Sequence, residues 1–222
     1  HIGSFRSLII HDVLSRLLGE AKKPVQLLYG FDDFDPLDGI PDGVEMDLTA
    51  EMGKPLNWLP ATDKSNQNFA EYFIDEFKRF HTILGIKPSY YLTSELYSSG
   101  KFNPAIQKVL DQADQIRAIY AEVSGSQKEK NWYPLQVVCP NCSKLGSTIV
   151  SSWDGQQVGF QCRQDLVPWA VGCGYEGRTS PFDGLAKMPW RVEWAAKWDL
   201  FGVTIESAGK DHASRGGSYD VS

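Results

Sequence analysis

Apolar residues recur at helical spacing in three stretches of the first 120 residues, and two short apolar runs fall between them. Ile2, Phe5, Ile9, Val13 and Leu17 predict an amphipathic helix over 2–18, with Gly19 as its stop. PVQLLYGF at 24–31 reads as a buried strand that runs straight into Asp32, Asp33 and Asp35. Phe69, Tyr72, Phe73, Phe77, Phe80 and Leu84 form one broad stripe, the core-facing side of a helix over 68–84. SYYLT at 89–93 suggests a second strand. Asn103 caps a third helix with Pro104 in its first turn, and that helix's stripe is Ile106, Val109, Leu110, Ala113, Ile116 and Ile119. Residues 36–66, rich in Gly, Pro, Asp and Asn, read mostly as loop. Helices alternating with strands argue an α/β fold with a parallel sheet covered on both faces. Such a sheet carries its site at the C-terminal ends of its strands, where the Asp32 group falls.

Composition narrows the function. Seven Trp, nine Tyr and eleven Phe in 222 residues carry too much apolar mass for a disordered chain. No apolar run approaches the roughly 18 residues of a membrane span, so no membrane partner is expected. Lys and Arg number 22 against 28 Asp and Glu, a net charge of -6, which argues against a purely electrostatic DNA binder. The chain opens on His1 inside a motif, which reads as part of a longer protein.

The polar segment SGSQKEKN at 124–131 looks like a boundary. All four cysteines lie within 132–180, among short strand-like pieces such as LQVVC, STIV and VGFQC. From 181 an aromatic-rich helix returns, followed by a strand at 202–206 (GVTIE) and a glycine-rich stretch. The division is therefore a first half at 1–130, a small inserted module at 131–180 and a second half at 181–222. Cys139 and Cys142 form a C-x-x-C pair, CPNC, joined by Cys162 and Cys173. Four thiolates suit a tetrahedral zinc ion with no open position, hence a structural Zn2+ whose binding folds a module too small for a core of its own. Two disulfides would suit a secreted protein, and a redox C-x-x-C needs no second pair.

Two further groups are candidates. His1-Ile2-Gly3-Ser4 opens a helix, whose free N–H groups and positive dipole end suit a phosphate, with Gly3 leaving room for close packing. Trp190, Trp194 and Trp198 fall at i, i+4 and i+8, a packed aromatic face in the plainest reading. Gly209-Lys210-Asp211-His212 follows the strand at 202–206, where a glycine and a carboxylate can hold a ribose.

Together these pieces resemble the class I lysyl-tRNA synthetases. HIGS is similar to that family's His-Ile-Gly-Asn/His signature, LLYGFDDFDPL to its strand ending in two aspartates, and CGYEG to its Cys-Gly-His-Glu-Gly. MPWRVEWAAKW followed by GVTIESAGKDHASRGGSYD carries the most specific likeness, which extends over residues 1–222. The resemblance implies a Rossmann-type catalytic domain with a zinc-bearing insertion, located in the cytoplasm, that converts ATP (with Mg2+) and L-lysine to lysyl-adenylate and passes the lysyl group to tRNA(Lys). On it, His1 and Ser4 act on the ATP phosphates, Gly3 makes room for adenine, and Gly209 and Asp211 hold the ribose. Trp190 and His212 line the lysine pocket. The residues themselves, rather than the resemblance, suggest that Glu193 or the pair Asp32 and Asp33 balances the ammonium. Ser4 departs from the usual amide or imidazole, Glu193 from the common Asp, and Ala195 from Pro. The family's preceding strand, its Lys-Met-Ser-Lys-Ser-like loop and its anticodon-binding domain lie outside this stretch, so the stretch alone is expected to be inactive. A relic that binds RNA or protein without charging is the alternative. Activation of another amino acid, such as glutamate or arginine, is a further one, but glutamate would call for a cationic group in the pocket.

Overall fold

Two short strands seat the site. In the computed structural model, which describes residues 2–63, 66–210 and 212–222 and side chains from Phe5 onward, β1 (Leu28–Phe31) and β2 (Ser89–Leu92) pair in parallel, Leu28 against Ser89 and Phe31 against Leu92. A parallel pair needs a crossover. Here it is a long loop followed by helix α2 (Phe69–Ile83), which begins on a capping box: Asn68 accepts from the Glu71 N–H and Glu71 accepts from the Asn68 N–H, both at 2.9 Å. The loop holds a small core of its own around Leu37, Leu48 and Leu59, closed by Phe69. The predicted strand at 24–31 is thus only its last four residues. Gly30 is required there, because a Cβ would lie 2.2 Å from Cζ of Tyr91 on β2.

Helix α1 (Ile2–Glu20) forms over the predicted span but turns a different side inward. Leu8 is buried and Phe5 stacks on Phe77 at 4.3 Å, whereas Ile9, Val13 and Leu17 of the predicted stripe are exposed. The doublets Leu8-Ile9, Val13-Leu14 and Leu17-Leu18 make two faces apolar, so periodicity could not choose between them. On α2, Phe69 is buried, but Phe80 and Leu84 of the stripe are exposed, and His81 takes the inward place with Nδ1 2.7 Å from the Tyr90 hydroxyl.

After β2 come α3 (Thr93–Ser98), α4 (Asn103–Asp111) and α5 (Ala113–Ser124). The predicted third helix is therefore two, broken at Gln112 (φ -108°, ψ 23°). Asn103 lies inside α4 rather than capping it, and its amide donates to Asp183 at 2.8 Å. In the cysteine segment β4 (Thr148–Trp153), β5 (Val158–Cys162) and β6 (Glu176–Thr179) form an antiparallel sheet with β5 central, while β3 (Gln136–Val137) pairs with β7 (Ala186–Lys187). Buried residues of β3 to β5, including Val137, Val150 and Phe160, share one core with Leu96, Tyr97, Phe102 and Ile106 of the α3–α4 region.

Helix α6 (Trp190–Phe201) and the short α7 (Ser218–Val221) complete the second half. The predicted strand at 202–206 is not one: Gly202 is the left-handed C-cap of α6 (φ 59°, ψ 44°), and the residues after it belong to no ladder among the described residues. A strand exists only through a partner, and between this segment and the free edge of β1 lies a cavity.

Candidate active site and metal centre

That cavity, about 1010 Å³, runs along β1 to Asp32 and is walled by α1, by the Trp face of α6 and by residues 203–209. Such a volume is at the upper end of small-ligand sites. Trp190, Trp194 and Trp198 all line it, their ring centroids 4.7 and 5.0 Å apart in sequence order. The His212 ring lies 4.9 Å from Trp190, tilted by 35°. The two residues assigned to one pocket by resemblance are thus in contact on one wall. Gly209 lines the same cavity, as does Ser7, one turn along α1 from Ser4. His11 ties these walls together: its Nδ1 lies 2.9 Å from the Ser7 carbonyl, and its Nε2 accepts from the Ser207 N–H at 3.1 Å. His1 and Asp211 lie outside the described residues, and so do the side chains of Gly3's neighbours Ile2 and Ser4.

The acidic candidates separate. The Asp33 carboxylate accepts from the Ser94 N–H at 2.9 Å and from the Ser94 hydroxyl, and is buried away from the cavity wall. Burial raises its pKa against those bonds. Glu193 is fully buried behind the Trp face. Its Oε2 accepts from Lys187 at 2.5 Å and from the Tyr97 hydroxyl at 2.6 Å, and its Oε1 stands 2.8 Å from Lys197 Nζ without hydrogen-bond alignment. Lys187 also pairs with Asp35 at 2.8 Å, and Lys197 with Asp32 at 2.5 Å. Three carboxylates thus share two buried ammonium groups. Burial works against both lysines, but the carboxylates outweigh it and raise their pKa values, so both stay charged. Asp32 alone of Asp32, Asp33 and Glu193 lines the cavity, and its side chain is 40% exposed. Burial pushes its carboxyl up, yet Lys197 overcomes this and holds it below the usual range.

The four cysteines converge. Their Sγ atoms all lie within 4.8 Å of one another, with Cys139 to Cys173 at 3.6 Å and Cys142 to Cys162 at 3.7 Å. Four sulfurs at the Zn–S bond length of about 2.3 Å on a tetrahedron stand about 3.8 Å apart, so the spacing fits zinc. The Cys173 N–H lies 3.4 Å from the Cys162 sulfur and the Ser147 hydroxyl 3.3 Å from it, the kind of outer contact that supports a metal-bound thiolate. Burial pushes the Cys142 thiol up to about 12. Burial acts on Cys173 as well, but bonds from the Asn141 side chain and the Tyr175 backbone bring it down to about 6. Gly172 lets the chain turn between Cys162 and Cys173, since a Cβ would sit 2.2 Å from the Arg163 carbonyl oxygen.

Residue patterning missed Lys197, His11 and the approach of Trp194 and Trp198 to the cavity. Glu193 and Lys197 at i, i+4 give the usual signal of a solvated helix pair, and nothing local marks them as buried. Among the described residues no helix is long and apolar enough to cross a membrane.

Residues 1–222 match the family described as tRNA synthetases class I (K), and the chain belongs to it. Relatives in that family are lysine--tRNA ligases: that of Methanosarcina barkeri (strain Fusaro) is 35% identical over 221 residues, covering the whole of this chain and 40% of the relative. The one from Archaeoglobus fulgidus is 34% identical over all of this chain and 43% of its own length, and the one from Methanocaldococcus jannaschii 30% identical over all of this chain and 40% of its own. The chain therefore spans about 40% of the length of the curated relatives it matches.

Proposed function

We propose that this chain carries the amino-acid-activating part of a lysine-charging enzyme, a Rossmann-type catalytic domain whose halves, 1–130 and 181–222, flank a zinc-bearing insertion at 131–180. The observation that carries the reading is the contact of Trp190 with His212 on a cavity that Asp32 and Gly209 also line. The flat indole suits the aliphatic stem of lysine and attracts its ammonium. Asp32, the carboxylate facing the cavity, balances an ammonium group, and Asp33 and Glu193 add negative charge behind the wall.

In the first step a carboxylate oxygen of lysine attacks the α-phosphate of ATP, the bond to the β-phosphate breaks, and pyrophosphate leaves. In the second, a hydroxyl of the 3′-terminal ribose of tRNA(Lys) attacks the lysyl carbonyl and AMP departs. Neither step needs a covalent enzyme intermediate, so the residues act by holding the reactants in line and by offsetting phosphate charge. His1, Ser4 and the start of α1 take the phosphates, Gly3 the adenine, and Gly209 with Asp211 the ribose; Mg2+ arrives with the ATP. Cys139, Cys142, Cys162 and Cys173 hold Zn2+, which fixes the turns of the insertion and takes no part in the reaction. The enzyme works where tRNA is charged, in the cytoplasm.

The test is ATP–pyrophosphate exchange by protein extended to the full length of its relatives. Exchange that depends on lysine is the expected result, and equal exchange with arginine or glutamate would overturn the assignment.

A further inference from the structure

Helix α6 has two working sides. Trp190, Trp194 and Trp198 face the cavity; Lys197, which also borders it, reaches across to Asp32 at the strand end, and Glu193 lies behind it against Lys187 of β7. We propose that Lys197 is a positioning residue of the amino-acid site: it aims Asp32 at the cavity and, through Glu193 and Lys187, sets α6 and its Trp190 in register with the end of β1. The proposal rests on Asp32 belonging to the lysine pocket.

The geometry leaves Lys197 no substitute. The Asp32 carboxylate accepts from Lys197 at 2.5 Å and from the Thr93 hydroxyl at 2.9 Å. The next ammonium, Lys187, is bound to Asp35 and Glu193. The other charged and titratable groups around Asp32 oppose its charge or offer none: Asp33 and Asp35 on its own loop, Tyr29 on β1, Tyr91 on β2 and Glu193 on α6. Without Lys197, Asp32 stands beside Asp33, Asp35 and Glu193 with Lys187 as the remaining cation, and a half-buried carboxylate in that setting takes up a proton more readily. A neutral Asp32 no longer pairs with the ammonium of the substrate. With Lys197 in place, Asp32, Asp35 and Glu193 carry one more charge than Lys187 and Lys197 offset, a surplus of the sign that a pocket for a cationic amino acid requires.

In the full-length protein, the KM values for lysine and for ATP are measured by pyrophosphate exchange from pH 6.5 to 9 for wild type, Lys197→Met and Lys197→Arg. At pH 7 Lys197→Met is expected to raise the lysine KM by about 30-fold or more while the ATP KM stays within about threefold. Its lysine KM should fall back as the pH is raised and Asp32 ionises, whereas the wild-type value stays flat. Lys197→Arg keeps a cation at the same place and should stay within about fivefold of wild type. A Lys197→Met enzyme with unchanged lysine KM, with equal losses for both substrates, or with no recovery at high pH overturns the proposal. So does a folded Lys197→Arg enzyme, judged by its melting temperature, whose lysine KM rises as far as that expected of Met; this arm decides the matter if Lys197→Met does not fold. A wild-type enzyme with no lysine-dependent exchange refutes the function itself and removes the proposal with it.

Discussion

Replacing Trp190 by alanine tests the pocket at its widest surface. The indole makes tilted contacts with Trp194 at 4.7 Å and His212 at 4.9 Å, and those two rings stand 6.0 Å from each other, so its removal leaves a gap that neither neighbour fills without moving. Two contributions disappear with it. An ammonium over a desolvated indole is worth about 2 kcal/mol. The four methylenes of lysine, at about 0.8 kcal/mol each when fully buried, are covered by the indole on about one side, which contributes about 1 kcal/mol more. The sum, about 3 kcal/mol, corresponds to about a hundredfold weaker lysine binding. On the proposed assignment Trp190 touches lysine and not ATP, so the ATP KM should change by less than about threefold. Trp190→Phe, which keeps a smaller π face, should fall between the two. Pyrophosphate exchange at varied lysine and saturating ATP, and then the reverse, gives both constants. A loss confined to ATP, or a lysine KM within about threefold of wild type, would refute the role of Trp190.

Other perturbations probe the framework. Tyr97→Phe removes a buried hydroxyl that donates to Glu193 and accepts from the Met188 N–H at 2.9 Å; the unfolding free energy in urea should drop by about 2–4 kcal/mol, and a drop below about 0.5 kcal/mol would contradict the bonding described. Elemental analysis should find about one zinc per chain, lost together with the near-ultraviolet signal of Trp153 and its neighbours on chelation; metal-replete protein without zinc would remove the metal centre. Burial lowers the pKa of His81 from 6.5, so as the pH falls through 6.5 the unfolded chain binds a proton that the folded chain resists. Stability should therefore be full above that pH and decline below it, and His81→Phe should lose less over the same range; identical acid limbs would refute this contribution.

What the sequence made legible was whatever is encoded locally. The four cysteines declared a common centre because ligand spacing survives any uncertainty about the strands around them. The parallel pair, the helix of α2 and the carboxylates at the end of β1 followed from short-range patterns. Where the reading departed from the structure, tertiary context decided. Residues 202–206 have a strand's composition but no ladder partner among the described residues, and α1 has two apolar faces of which only one could be buried. The ion network was hidden for another reason. Glu193 and Lys197 lie on one helix, Asp32 165 residues before Lys197, and Lys187 on β7, so only the fold brings them together. Charged residues at helical spacing signal a solvated face unless something distant claims them.

The most direct measurement is a crystal structure of the full-length protein with a non-hydrolysable lysyl-adenylate analogue. The lysyl stem should lie on the Trp190 indole with an ammonium against Asp32, and the adenosine should lie between the start of α1 and Gly209. An analogue seated elsewhere, with the cavity between β1 and α6 empty, would contradict the account.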